Sequence, residues 1–435
     1  MPQAEARFTN RQFAALVTGA SVGTMFEWYD FFLAAAAAAA VWPKIFFPAR
    51  FDPATALAVS VATLGISYVA RPLGAFVFGH LGDKYGRRST LVWTMIVMGC
   101  ASLATALIPP YASIGMLAIF LVFVLRFLVG FGVGGETGGA FSWILEAKPH
   151  SKFRAWWMSW PNAILQIGKL LSVFAFYLAS SSLTSAAYLD WGWRVPFAVG
   201  AVMLVLAMAV RMKLMESPMF QQLQVKRSVL KFPAVQVLRE QGRKIFTLLW
   251  LDCYVSTIGS LVILPFSVSY LIVLGVNDAF ANLSVTCSTG TAFIAVMAGA
   301  LICDYVGRKN VTRAGGLCTM AMLFPYFFML QTLNPILIIL AQILLDACSH
   351  IGSTPNKAMF TESFATKYRY SGSGLTYQIG SSVVGVLIAL ILPVIIITYG
   401  VLAAWLPVMG IAVAMVFLSL TASFFVKETK GIALE

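Results

Sequence analysis

The sequence predicts an all-α membrane protein with twelve transmembrane helices in two pseudo-symmetric bundles of six. Three observations favour this fold class. The 435 residues are 60% hydrophobic and only 11% charged, with a mean hydropathy of +0.84, whereas a soluble protein carries roughly a quarter charged residues. About twelve apolar runs reach the roughly 20 residues that a helix needs to cross a bilayer. A loop signature also occurs once in each half of the chain.

Each predicted helix is one of these apolar runs, and the pattern of a membrane β-barrel is absent from the sequence. The helices lie near residues 12–40, 56–81, 89–108, 113–145, 153–180, 192–212, 245–272, 279–303, 311–331, 334–363, 371–399 and 401–426. The longest stretch between them is basic and mildly amphipathic. We therefore predict an N-terminal bundle over 1–212, a cytoplasmic linker over 213–244 and a C-terminal bundle over 245–435.

The repeated loop signature is an Asp followed three residues later by Gly and then by two basic residues. Its first copy is GHLGDKYGRR at 79–88, and its second is ALICDYVGRK at 300–309. Asp83 and Asp304 lie about 220 residues apart, so the chain is two copies of one architecture. Internal repeats of this kind are typical of membrane transporters, and transport is the predicted class of function.

The basic residues are concentrated on one side of the predicted topology. The net charge is +13. With the N-terminus taken as cytoplasmic, most Lys and Arg fall in the linker and in the loops on that side. This is the positive-inside asymmetry, so the charge predicts a multi-pass cell-membrane protein with both termini cytoplasmic, and no nucleic-acid partner. Attraction to anionic lipid headgroups is a second consequence. The first apolar run is too long for a cleavable signal peptide.

Several motifs resemble those of a known family. The loop signature and the Arg with a glycine-rich face at 126–136 are similar to motifs of the major facilitator superfamily. Five further segments resemble its metabolite:proton symporter family: EWYDF at 27–31, ARPLGAFVFGHLGD at 70–83, WGWRVPF at 191–197, ESPMF at 216–220 and ESFATKYRYSG at 362–372. The resemblance implies a cavity lined by helices 1, 4, 7 and 10, alternating access, and cargo that is an organic acid or a zwitterionic osmolyte, usually carried with protons.

Ionisable side chains at bilayer depth are costly, by at least about 2.5–3.5 kcal/mol on insertion scales, so those present are expected to face a cavity or to pair. Asp30 with Arg126 is the first candidate for proton coupling, because burial and a neighbouring guanidinium act in opposite directions on a carboxylate's proton affinity. Proton-coupled sugar carriers of the superfamily have a similar pair on helices 1 and 4. A permanently ionised structural pair is the alternative. Glu27, one turn earlier on the same helix, is the second candidate.

Two polar stripes follow the helical period. Helix 10 carries Asp346, His350 and Lys357 on one face, and helix 5 carries Asn162, Gln166 and Lys169. Lys169 and Lys357, one from each half, could clamp a di- or tricarboxylate; they could instead reach lipid headgroups or pair with an acid such as Asp346. His350 could titrate or simply bond to Asp346. The remaining substrate-binding candidates are Arg71, Asp252 and Tyr377. Of the acids, Asp252 is also the expected partner for a lysine.

A third set of residues lies at the predicted cytoplasmic edge. The first-half members are Asp83, Gly86, Arg87, Arg88, Glu146 and Arg154, and the second-half members are Asp304, Arg308, Glu362 and Arg369. The resemblance implies that they form an intracellular latch that holds the outward-open state. Because Glu146 with Arg154 recurs as Glu362 with Arg369, the latch is predicted to have two pseudo-symmetric parts.

These features predict proton-coupled symport of a small organic anion, a di- or tricarboxylate-like metabolite, by alternating access. The transporter is predicted to be monomeric, and its partners are that anion, the proton and membrane lipid. A zwitterionic osmolyte symporter, a uniporter and a membrane nutrient sensor are the alternatives. Helix 5 lacks the signature of drug:proton antiporters. No nucleophile–base cluster is spaced for catalysis, so the chain is not predicted to be an enzyme. The six cysteines lack metal-ligand spacing, and no metal or cofactor is predicted.

Overall fold

The computed structural model describes residues 8–48, 51–226 and 228–434, and the regular elements of that part are helical. Short helical turns accompany twelve long helices. These are α1 (Asn10–Ala40), α2 (Pro53–Tyr85), α3 (Arg87–Leu107), α4 (Met116–Ala147), α5 (Arg154–Ser182), α6 (Val195–Met212), α7 (Pro233–Val273), α8 (Asp278–Val306), α9 (Arg308–Gln331), α10 (Pro335–Glu362), α11 (Arg369–Ala403) and α12 (Trp405–Phe425).

Ten of these helices are long and apolar enough to cross a membrane. Their positions agree with the predicted apolar runs to within a few residues, except at the start of α7. This helix begins at Pro233, inside the predicted linker, and a helix at Pro218–Val225 precedes it. Sequence hydropathy missed the first turns of α7 because they are amphipathic and polar on one face.

The two copies of the loop signature have the same backbone geometry. Gly86 joins α2 to α3 with φ of 117° and ψ of 153°, and Gly307 joins α8 to α9 with φ of 112° and ψ of 153°. Side chains disfavour this region of φ. Each glycine therefore allows a long helix to end and the next to begin without an intervening loop, and the predicted repeat is also a repeat in three dimensions.

The linker and the C-terminal segment lie at one end of the molecule, here called the linker end; the opposite end is the far end. At the linker end one hydrophobic cluster draws residues from both halves, among them Phe13, Trp143, Val311 and Tyr370. At the far end each half has its own cluster, one formed by the first six helices and one by the last six. The halves meet mainly where α2 packs on α11 and α5 on α8. The structure is closed at the linker end.

Two glycines let α4 and α11 approach at this closed end. A Cβ atom added at Gly138 would lie 2.6 Å from Cα of Gly374 and 2.9 Å from the carbonyl oxygen of Tyr370. A Cβ atom added at Gly374 would meet Cα of Gly138 at 3.7 Å, an ordinary contact. The interface is therefore intolerant of a side chain on α4 but not on α11.

This asymmetry gives a paired test. We expect Gly138→Ala to force the two helices apart, lowering the thermal midpoint of the purified protein by the equivalent of about 1–3 kcal/mol, as overpacking of a core does. Gly374→Ala is the matched control and should unfold at or above the wild-type temperature, since Ala favours a helix by about 1 kcal/mol over Gly. Equal midpoints for the two variants would contradict the packing described here.

Candidate functional site

The predicted pair on α1 and α4 is present. Nη1 of Arg126 lies 3.2 Å from Oδ2 of Asp30, and both side chains are about 1% exposed. Ser102 on α3 donates a hydrogen bond to the same carboxylate, and Nη2 of Arg126 donates to Oγ1 of Thr105 at 2.9 Å. The pair therefore joins three helices of the first half, and each charge has its own partners.

A second buried pair in the first half was not predicted. Glu136 on α4 accepts hydrogen bonds from Arg211 at the end of α6, and Arg211 also donates at 2.9 Å to the carbonyl oxygens of Gly19 and Ala20 on α1. Arg211 is fully buried. The sequence did not predict this pair because Arg211 adjoins the basic linker, where an arginine is expected to be a surface charge.

In the second half, Lys357 forms an ion pair with Asp252 on α7. Nδ2 of the adjacent Asn356 also donates to the carbonyl oxygen of Leu251 at 2.8 Å, and the Lys357 ammonium lies 4.7 Å from the ring centroid of Tyr377. These contacts place Lys357 among residues of its own half. The structure therefore does not present Lys357 and Lys169 as a matched pair of free cations.

The polar stripes of α5 and α10 meet across the boundary between the halves. Nε2 of His350 lies 3.5 Å from Oδ1 of Asp346 and 3.3 Å from Nε2 of Gln166. Lys169 interacts electrostatically with Asp346, and Asn162 is buried one turn before Gln166. Four of the predicted binding residues are thus brought together by two helices from different halves.

Two interior cations have aromatic neighbours instead of an ion pair. The Arg71 guanidinium lies 4.5 Å from the ring centroid of Tyr68 and 5.2 Å from that of Phe31. The Lys169 ammonium lies 5.4 Å from the indole of Trp28 and 5.2 Å from the ring of Phe32. Among the described residues, neither cation has a carboxylate oxygen within 4.0 Å. Cation–π contacts are weaker than a buried ion pair, so both can still receive an anion.

Three of these rings, Trp28, Phe31 and Phe32, form one patch on α1. The fourth, Tyr68 of α2, packs against Phe31. Glu27 precedes this patch and is 1% exposed, and neither of its carboxylate oxygens accepts a hydrogen bond within the described residues. Arg71 is the cation that acts on Glu27 most strongly. An acid without hydrogen bonds and two cations without ion pairs therefore surround the aromatic patch of α1.

At the linker end, each signature Asp binds a helix of the opposite half. Asp83 accepts hydrogen bonds from the main-chain N–H groups of Tyr370, at 3.1 Å, and Ser371, at 2.8 Å, at the start of α11. Asp304 accepts from Ala155 at 3.2 Å and Trp156 at 2.9 Å, at the start of α5. A carboxylate at a helix N-terminus satisfies unpaired N–H groups and the positive end of the helix dipole.

The glutamates of the latch bind arginines from both halves. Glu146 accepts from Arg87 of its own half at 3.0 Å and from Arg369 of the other half at 3.1 Å. Glu362 lies 3.0 Å from Arg308 of its own half and 3.9 Å from Arg154 of the other. The sequence grouped Glu146 with Arg154 and Glu362 with Arg369. In the structure the arginines are exchanged, so that Glu146 pairs with Arg369 and Glu362 lies near Arg154.

The fold is shared with solved transporters. The proton:xylose symporter XylE of E. coli superposes with a TM-score of 0.79 at 17% identity, over 98% of each chain. The transporter FucP in its outward conformation gives 0.64 at 16% identity, over 94% of this chain and 98% of that one. The family model for sugar (and other) transporters matches residues 16–231 and 234–435. The chain belongs to the major facilitator superfamily.

Curated relatives of this superfamily member are more similar in sequence. The inner membrane metabolite transport protein YhjE of E. coli K12 is 34% identical over 368 residues, which is 83% of this chain and 82% of that protein. The shikimate transporter of the same strain is 33% identical, with 84% of each chain covered. The proline/betaine transporter of that strain is 30% identical, with 85% and 75% covered. The predicted fold and transporter class are confirmed, and the chain is not an enzyme.

Two acids of this superfamily member's latch were not assigned a role from sequence. Glu216 accepts hydrogen bonds from the main-chain N–H groups of Arg87 and Arg88, at 3.0 Å and 3.1 Å. Glu428 does the same for Arg308 and Lys309, at 3.1 Å and 3.0 Å. The guanidinium of Arg88 donates to the carbonyl oxygen of Met212, and within the described residues this arginine of the predicted latch has no ion pair with an acid. A second sequence repeat could have revealed these two acids, because Glu216-Ser217 in the first half recurs as Glu428-Thr429 in the second.

Glu216 caps the start of α3 and Glu428 caps the start of α9, and the pKa values of these two carboxyl groups are shifted in opposite directions. Burial raises the pKa of Glu216 despite the N–H groups that bind its carboxylate. Burial also acts to raise the pKa of Glu428, but four main-chain N–H donors outweigh it, and the pKa lies below its ordinary value. As the pH falls, the cap on α3 is therefore expected to be protonated before the cap on α9.

Removing the carboxylate of either loop signature, Asp83 or Asp304, should favour a conformation in which the two halves separate at the linker end. Hydrogen bonds to charged groups contribute about 1.5–3 kcal/mol each, so Asp83→Ala or Asp304→Ala should shift the closed-to-open ratio by about tenfold or more. Probes at positions 85 and 305, both exposed and in different halves, would report longer distances. Asp278→Ala, at an exposed acid of the far end, should leave the distances unchanged. Unaltered distances in both latch variants would contradict this role.

Proposed function

We propose that this transporter carries a small organic anion together with a proton, by alternating access. The observation that supports this most directly is the set of unmatched charges around the aromatic patch of α1. Arg71 and Lys169 have no ion pair within the described residues, and Glu27 has no hydrogen bond. The two cations are suited to a carboxylate, and the buried acid is suited to a proton.

Charge balance in the interior suggests how the two cargoes are coupled. Apart from the latch, the described residues include five interior acids and five interior cations. The acids are Glu27, Asp30, Glu136, Asp252 and Asp346, and the cations are Arg71, Arg126, Lys169, Arg211 and Lys357. Protonation of Glu27 leaves one positive charge uncompensated near Arg71. A substrate carboxylate can supply that missing charge, and by linkage its binding favours the protonated acid. This arrangement favours a singly charged substrate over a di- or tricarboxylate.

The proposal assigns different tasks to the two acids of α1. Asp30 is bonded to Arg126 and Ser102, so losing its charge would strip Arg126 of its partner. Glu27 can exchange a proton without breaking a hydrogen bond to a described residue. Glu27 therefore becomes the first candidate for the coupled proton, and the Asp30–Arg126 pair becomes the connection that transmits the change to α4.

The orientation of the chain follows from its charge asymmetry. Placing the linker end in the cytoplasm puts the basic loops and both termini there, and the structure is then the outward-facing state. The relative YhjE is described as an inner membrane protein, which supports an inner-membrane location. The shikimate transporter among the relatives supports an organic acid as substrate, and the proline/betaine transporter supports the osmolyte alternative.

Purified protein in liposomes would test the function. An inward proton gradient should drive accumulation of a radiolabelled monocarboxylate, and substrate should acidify the lumen of otherwise undisturbed liposomes. A panel should include a dicarboxylate, a tricarboxylate and glycine betaine. Uptake that ignores the gradient would indicate a uniporter. Uptake of betaine alone would indicate the osmolyte symporter, and no uptake of any compound by folded protein would favour a sensor.

The coupling role of Glu27 predicts a specific defect. Glu27→Gln should abolish accumulation driven by the proton gradient but retain exchange of labelled for unlabelled substrate, because the neutral amide mimics the protonated acid. Asp30→Asn should impair both processes, since it leaves Arg126 buried without its ion pair. Asp278→Asn is the control at an exposed acid. Gradient-driven accumulation by Glu27→Gln at the wild-type level would exclude Glu27 as the coupling group.

The proposed roles of Arg71 and Lys169 in binding, and of Lys357 in an ion pair, predict different effects when each cation is removed. Arg71→Gln and Lys169→Gln should each reduce uptake of the anion by roughly 10–100-fold, the value of one charge-assisted hydrogen bond, with little loss of folded protein. Lys357→Met should instead reduce the yield of folded protein, because a buried Asp252 without its partner costs about 3–5 kcal/mol. Lys44→Gln, an exposed cation, is the control. Wild-type uptake by both Arg71→Gln and Lys169→Gln would contradict the proposed anion site.

A further inference from the structure

A cavity of about 810 Å³ opens at the linker end of the second half, away from the interior charges. Its walls are residues 240–250 of α7, the connection between α10 and α11, the end of α12 and the segment that follows α12. All of these belong to the last six helices and their tail. The cavity therefore does not depend on contact between the halves.

One side of the cavity is apolar and reaches the outer surface of the bundle. Phe246 on α7 is 62% exposed and Phe425 at the end of α12 is 81% exposed. Trp250 and Leu418 continue this wall inward. In membrane proteins, Trp side chains such as Trp250 are enriched where acyl chains meet the headgroup region, and exposed Phe side chains on the outer surface face the acyl chains. The apolar wall is therefore positioned against lipid.

The other side is basic and lacks anionic partners. Arg243, Lys244 and Lys427 line it, and none of the three has an ion pair within the described residues. The Lys244 ammonium donates to the carbonyl oxygen of Ser363 at 3.0 Å, and the charge of Lys427 acts on it repulsively. Like charges that line one cavity repel each other, and an anion bound between them removes that repulsion.

The two acids that line the cavity do not supply that anion. Glu362 is held by Arg308, at 3.0 Å, and by the hydroxyl of Thr429, at 2.6 Å. Glu240 accepts a hydrogen bond from Nε2 of Gln236 at 2.6 Å, one turn earlier on the exposed face of α7. Neither acid therefore forms an ion pair with the basic group within the described residues. Glu240, one turn before Arg243 and Lys244, can offset only one of the three positive charges.

We propose that this cavity is a binding site for an anionic phospholipid of the leaflet at the linker end. Its phosphate contacts Arg243, Lys244 and Lys427, and its acyl chains lie against Phe246 and Phe425. A basic cluster beside a membrane helix attracts anionic headgroups, and the exposed aromatic wall selects a lipid over a soluble phosphate compound. The site is independent of the substrate pathway.

The test uses the full-length protein in phosphatidylcholine nanodiscs, with phosphatidylglycerol added in increasing fraction. Native mass spectrometry counts retained phosphatidylglycerol, and a thermal scan measures stabilisation, which bound ligand provides by mass action. We expect the triple variant Arg243→Gln, Lys244→Gln, Lys427→Gln to retain the lipid roughly a hundredfold more weakly than wild type. The triple variant Lys84→Gln, Lys152→Gln, Lys213→Gln removes the same charge elsewhere and should bind as wild type.

Three results would overturn the proposal. They are equal retention by the two triple variants, equal stabilisation by phosphatidylcholine and phosphatidylglycerol, and displacement of the lipid by millimolar glycerol 1-phosphate. The last result would identify a soluble organophosphate as the ligand. If the cavity variant folds poorly, Phe425→Ala gives a second reading, since its ring is exposed and its loss should weaken retention without changing the charge.

Discussion

A carboxylate that caps the start of a helix from the opposite half is the interaction on which this structure depends. Asp83 binds the start of α11, and Asp304 binds the start of α5. Helix N-termini carry unpaired N–H groups and partial positive charge, so each cap is strong only while the halves are in contact. The arginines around Glu146 and Glu362 then complete a closed end whose parts depend on one another.

A buried charge requires a partner, and this requirement distinguishes two groups of interior charges: those paired within the protein and those left for a ligand. Asp30 with Arg126, Glu136 with Arg211 and Asp252 with Lys357 form ion pairs that hold helices together. Glu27, Arg71 and Lys169 are the exceptions, and all three adjoin the aromatic patch of α1. Unsatisfied charge is tolerated where a ligand completes the site, so these three exceptions support the cargo site that we propose.

Much of the fold could be predicted from sequence, because a membrane fixes the length and polarity of its helices. The face of α10 that carries Asp346, His350 and Lys357 could also be predicted from helical periodicity. The helix that lies opposite each of these residues could not be predicted in this way. The sequence marked Asp252 as a partner for a lysine but did not say which lysine. The structure pairs Asp252 with Lys357, more than a hundred residues later in the chain, and the latch arginines are exchanged between halves. Such pairings depend on how helices pack, and periodicity along one helix does not contain that information.

The exchanged contacts of the closed end also bear on how the chain is made. The ribosome completes α1 to α6 before α8 and α11 exist. Until then the N–H groups at the start of α5 have no Asp304, and Glu146 has no Arg369. During this interval water must solvate these groups, so the newly made first half cannot bury its linker end. Assembly of the second half supplies the missing partners, and final burial of that surface becomes a late event in biogenesis.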